Sequence, residues 1–168
     1  MSQPQYALSL FFHITATTLW IGGLLVTLIL VWPSLRRTLS SQPALYRLLS
    51  TIRSRFYPIS NLSLAVLIVT GLFQMTADPN YRGFLDFDNT WSKVMLLKHI
   101  AIASMAIAGL MLQYGVAPAL ERASLLLEHN KGDLKTWSRL HRREVTLTWA
   151  NALLGLAVLA FSAWATSL

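Results

Sequence analysis

The chain has 168 residues, of which 54% are hydrophobic and only 12% charged, with a net charge of +7 and no cysteine. A soluble domain of this length is less apolar, so the composition points to one membrane-embedded domain. The lack of cysteine excludes disulfides and thiolate metal centres.

The opening stretch MSQPQYALSLFF lacks the positive n-region and small-residue cleavage pattern of a signal peptide, so the first apolar run is expected to be a permanent span. Four runs are long enough to cross a bilayer: 6–32, 59–77, 91–117 and 145–168. Tyr6, Trp32, Tyr57, Trp91 and Trp164 lie at or near their ends, where an interfacial aromatic belt places them. Pro33 and Pro118 follow the first and third runs, where a helix is expected to stop. No strand-like alternation is present, and backbone groups in lipid need internal partners, so the spans are predicted to be helices. The fold class is therefore an all-α integral membrane protein, a single four-transmembrane-helix bundle over 1–168.

Charge placement gives the orientation. Eleven of the fourteen basic residues fall in two connections: Arg36, Arg37, Arg47, Arg53 and Arg55 in one, and Arg122, Lys131, Lys135, Arg139, Arg142 and Arg143 in the other. The positive-inside rule predicts that both connections are cytoplasmic, with the N- and C-termini and the 78–90 loop on the outer side. The basic charge is thus a topology signal and not a nucleic-acid footprint. Leu45, Leu48, Leu49, Ile52 and Phe56 recur at helical spacing, which predicts an amphipathic helix along the inner surface. Residues 118–129 read as a second such helix, opened by proline and stopped near Asn130–Gly132. Asp78–Pro79 and Arg82–Gly83 carry turn chemistry in the short outer loop.

Within the spans the chemistry rests on few side chains. His13 lies seven residues past Tyr6 and His99 eight past Trp91, on two spans that run parallel. At about 1.5 Å per residue, both imidazoles are expected roughly 10–12 Å below the outer interface. Two histidines at one depth suit a bis-histidine haem b, and the small residues Ala16, Thr17, Ala103 and Ala106 leave clearance for a macrocycle. Each histidine equally suits a hydrogen bond to a neighbouring helix. Lys98 reads as a lysine that snorkels to the outer interface, or as a partner, with Arg82, for a haem propionate. Met95, one turn before His99, and Met75, at the end of span two, offer thioethers that with imidazole suit copper, or else fill helix interfaces. Gln74, Gln113 and Asn151 read as interhelical hydrogen-bonding groups. His129 and His141 read as surface residues, and Glu144 as an interfacial ion pair with Arg142 and Arg143. No Ser/His/Asp arrangement and no paired intramembrane carboxylates are present, so hydrolysis has no support.

Three stretches carry a family resemblance. FFHITATTLWIGGLLV, with its His, Trp and Gly-Gly, resembles the first span of the copper-resistance D (CopD-like) membrane proteins. RFYPISNLSLAVLIVTGLF resembles that group's second span, and TWSKVMLLKHIAI its third, with a lysine at Lys98. The layout is also similar to the HemJ-type protoporphyrinogen oxidases, haem-linked enzymes with a histidine in span one and a lysine in span three. Those enzymes place a histidine two residues before that lysine, where this chain has Leu96.

The sequence-based expectation is a membrane-embedded haem b protein, with His13 and His99 as axial ligands, in electron transfer or haem-linked redox chemistry. Copper handling through His13, His99, Met95 and Met75 is the alternative, and a non-catalytic subunit of a larger membrane complex is the third. The expected surroundings are the lipid bilayer, in a bacterial inner membrane, with a redox partner or larger complex.

Overall fold

The computed structural model describes residues 3–34, 43–83 and 88–168, with backbone alone for 43–47. Arg36, Arg37, the Leu45 and Arg47 side chains and part of the 78–90 loop fall outside the described residues. Four helices are long and apolar enough to cross a membrane. We label them α1 (Gln3–Ser34), α2 (Pro43–Thr76), α3 (Thr90–Glu128) and α4 (Leu134–Thr166). They run up-down-up-down: Gln74 on α2 reaches Ser9 on α1, while Arg53 at the other end of α2 meets Glu144 on α4. We call the end holding Gln3 and Thr166 the terminal end, and the opposite one, with most described arginines and lysines, the basic end.

The helices are longer than the apolar runs. Tyr57–Pro58 lies inside α2, which continues without a break. The segment expected to lie flat on the membrane is instead the first turns of α2, with Leu49 buried in the bundle. Pro118 does not end span three either, because α3 runs on to Glu128. A π turn at Met111–Val116 precedes that proline, and another at Thr27–Val31 precedes Pro33. A wide turn shifts the carbonyl that a proline ring would otherwise strike four residues back, so the helix passes through. A third π turn, Thr18–Gly22, carries the buried Trp20 and Ile21.

The connections are closed by local hydrogen bonding. Asn89 caps α3 by accepting from the Ser92 backbone N–H at 2.6 Å. At the end of α3, Lys131 N–H donates to the Leu126 carbonyl and Asn130 N–H to that of Leu127, with Asn130 left-handed at φ 55°. This is a Schellman closure, with asparagine where glycine is commonest. Asp133 then caps α4, accepting from the N–H groups of Lys135 and Thr136 and from the Thr136 hydroxyl.

Packing pairs α1 with α2 and α3 with α4. Where all four helices meet, Trp20, Leu24 and Met105 form a buried cluster with Phe56, Leu64, Leu67, Leu154 and Val158 around it. A second cluster at the terminal end holds Met75, Trp91, Val94 and Ala165. Association in lipid depends on close packing of this kind rather than on burial from water. Gly155 permits a close approach of α4 to α1 and α3, since a Cβ there would lie 3.3 Å from Ile21 Cγ1 and Met105 Cε.

Gly155→Val is therefore expected to destabilise the bundle by about 1–3 kcal/mol through overpacking, seen as a lower unfolding temperature in detergent. Gly22→Ala is the matched control, because nothing lies within 4 Å of its would-be Cβ. The backbone N–H of Lys135, then the Thr136 hydroxyl, hold the Asp133 carboxyl below its ordinary value of 3.8. The cap's electrostatic contribution is thus fully present above the ordinary value and lost as pH falls through the lowered one. Asp133→Ala should speed amide exchange in the first turn of α4 at neutral pH, whereas Asp133→Asn should keep protection there and lose its acid dependence.

Candidate functional site

The two ends of the bundle carry different chemistry. At the terminal end, His13 Nδ1 lies 2.8 Å from the Thr70 hydroxyl on α2. The single Thr70 hydroxyl proton goes to the Val66 carbonyl at 2.6 Å, so Thr70 accepts from His13 Nδ1–H. That fixes the tautomer and leaves the lone pair on Nε2. Gly71 lies against the ring, with its would-be Cβ at an ordinary contact distance of 3.6 Å from His13 Cε1.

His99 is exposed, and its Nδ1 lies 2.6 Å from the Met95 carbonyl of its own helix. The neighbouring Lys98 is half-buried. Arg82 is exposed on the loop at the same end. Met75 is buried beside Trp91, Val94 and Ala165, and Met95 packs against that same cluster. The structure thus brings the two thioethers into one cluster, at the end that also holds His13. Among the described residues, no group of three or more His, Cys, Asp or Glu side chains converges as a metal site.

At the basic end, two residues read from the sequence as surface groups are buried. His141 and Glu144 are each 8% exposed. Glu144 does not pair with Arg142 or Arg143: Arg53 Nε on α2 reaches its Oε1 at 2.9 Å, and His141 Nδ1 reaches its Oε2 at 3.1 Å. The physical reason is helical phase, since Glu144 shares a face with His141 three residues away, whereas Arg143 points elsewhere. The imidazole is stacked on Trp32 of α1, with centroids 3.9 Å apart and planes 6° apart, and on Trp137 at 4.8 Å. Trp137 Nε1–H donates to the Ser124 hydroxyl, which donates to the Leu120 carbonyl. This network joins all four helices. Part of its signal is local: Trp137, His141, Glu144, Thr148 and Asn151 follow one another by three or four residues, a polar stripe along α4. The partners Trp32 and Arg53 lie too far away in sequence to be read from spacing.

Between the network and the Trp20–Met105 cluster lies a cavity of about 100 Å³. Its polar wall includes Tyr57, Ser60, Gln113, Thr148 and Asn151. Asn151 was expected to bond a neighbouring helix, yet it is 2% exposed and its Oδ1 has no hydrogen-bond partner among the described residues.

The family model for copper resistance protein D matches residues 50–165. The matched stretch holds Thr70, Met75, Met95, Lys98 and the whole polar stripe of α4, while His13, Trp20 and Trp32 precede it. Comparison with curated proteins and with solved structures returned no match. The family model spans well over half of the chain, and with its four membrane-spanning helices this protein belongs to the copper resistance protein D family.

Proposed function

We propose that the protein takes up a copper ion as cargo at the terminal end of the bundle, with His13 Nε2 as nitrogen donor and Met75 and Met95 as thioether donors. The observation that carries this reading is the fixed tautomer of His13. An imidazole that donates Nδ1–H to a helix-anchored hydroxyl and keeps Nε2 as a lone pair is oriented as metal-ligating histidines are. Imidazole and thioether together select a soft ion, Cu(I) above all. The sulfur donors share a buried cluster at the same end. A haem held between His13 and His99 lacks comparable support, because His99 is exposed and bonded within its own helix.

The distribution of charge supplies the direction. Arg53, Arg55, Arg122, Lys131, Lys135, Arg139, Arg142 and Arg143 lie toward the basic end, which on this reading faces the cytoplasm. The donor set then meets copper arriving from the outer side of a bacterial plasma membrane.

Competition with a chromogenic Cu(I) chelator is expected to show one high-affinity ion per purified protein. His13→Ala should abolish it, Met75→Leu and Met95→Leu should each weaken it, and His99→Ala should leave it intact. Thr70→Val removes the acceptor that orients His13 and should cost about 10-fold in affinity. Unchanged Cu(I) affinity in His13→Ala would overturn the site. So would low-spin haem b bands in a reduced-minus-oxidised spectrum that vanish in both His13→Ala and His99→Ala. The orientation is separately testable because the chain has no native cysteine. Ser167→Cys should react with a membrane-impermeant maleimide in intact cells, and Lys131→Cys only after lysis; the reverse pattern rejects the orientation.

A further inference from the structure

The cavity in the basic half has no part in the donor set above, and its wall has an uneven hydrogen-bonding capacity. The Thr27 hydroxyl donates to the Gly23 carbonyl at 2.7 Å, and the Thr148 hydroxyl to the Glu144 carbonyl at 2.8 Å. Each therefore presents only oxygen lone pairs to the cavity that both residues line. Asn151 Oδ1, buried in the same wall, is an acceptor with no donor among the described residues. A guest that only accepts, such as a carbonyl compound or an anion, leaves these oxygens unsatisfied. These three oxygens call for a small guest that donates.

We propose that this cavity is a hydrated vestibule, a binding site for a cluster of water molecules that reaches from the Arg53–Glu144 pair to Asn151 inside the bundle. A volume of about 100 Å³ holds several waters, and a water that bonds Asn151 Oδ1 finds further partners among the Thr27, Thr148, Ser60 and Gln113 groups. The Trp20–Leu24–Met105 cluster ends the vestibule toward the terminal end. At the other end Arg53 and Glu144 line the cavity while keeping 15% and 11% of their side chains exposed. The function of such a space is to bring solvent from the basic side of the membrane to the middle of the bundle, where a small cation or proton meets oxygen ligands rather than hydrocarbon. An acyl chain of a lipid is the competing occupant, and it leaves the three acceptors dry.

The cysteine-free chain permits a direct test that involves no copper, so failure of the copper reading leaves it untouched. Ser60→Cys and Thr148→Cys, each alone in oriented vesicles, are exposed on the basic side to methanethiosulfonate ethyltrimethylammonium, a membrane-impermeant quaternary cation. Both are expected to react at least about 10-fold faster than Leu154→Cys in the apolar cluster, with full labelling of all three after denaturation showing intact thiols. Rates equal to that of Leu154→Cys would overturn the proposal in favour of a dry or lipid-filled cavity. A second variant reads the same question by sign. Asn151→Leu should lower the unfolding temperature if it displaces bound water, and a rise would mean that it relieves an unsatisfied amide in a dry site.

Discussion

A carboxylate inside an apolar bundle cannot remain unpaired, and the arrangement of the basic half follows from that constraint on Glu144. Breaking a buried ion pair leaves an uncompensated charge, at a cost of about 3–5 kcal/mol, which is a large part of a typical domain's stability. Both carboxylate oxygens are occupied, one by Arg53 from α2 and the other by His141 one turn away. The imidazole must then lie flat between Trp32 and Trp137, which fixes the basic ends of α1 and α4. Trp137 in turn binds the Ser124 hydroxyl on α3. One charge therefore sets the relative positions of four helices whose hydrophobic surfaces alone do not distinguish one another from lipid.

Between this network and the terminal end the bundle changes character. α1 lies on α2 and α3 on α4, and residues of both pairs meet at Trp20, Leu24 and Met105, where Ile21 and Met105 crowd against Gly155. Polar groups lie on either side: Thr70, His13, Gln74 and Ser9 toward the termini, and Asn151, Thr148 and Gln113 toward the basic end. The π turns fall near this plan. One carries Trp20 into the central cluster, and the others let α1 and α3 reach past prolines to the surface.

The spans were legible because a bilayer demands about 20 apolar residues per helix and the sequence contains four such runs. Their ends were not, because proline stops a helix only when its neighbours cannot accommodate the lost hydrogen bond. At Pro58 and Pro118 the helix goes on. His13 was recognisable as an ionisable group in hydrocarbon, but its partner Thr70 is 57 residues away and threonine in a span has no distinctive signal. Depth along a helix can be counted from an interfacial aromatic residue. Azimuth in the folded bundle cannot, and the turn of His99 Nδ1 to the Met95 carbonyl of its own helix had no signal in the sequence. Glu144 was assigned to the arginines beside it in sequence, when a helix directs adjacent residues about 100° apart and prefers those three or four away.

On the proposed reading the two halves differ in the ions they favour. Nitrogen and sulfur donors at the terminal end would suit soft metals, whereas the Thr27, Thr148 and Asn151 acceptors lining the basic-half cavity are oxygens that would suit water and harder cations. On the proposed reading, a copper ion leaving the His13 site finds no second soft site on the cavity wall beyond Met105, which is itself packed at 1% exposure in the central cluster. The basic half then cannot trap the ion, and retention is decided at the terminal end. On that reading, passage would depend on opening the packed contact of Trp20, Leu24 and Met105, which lies between the two halves.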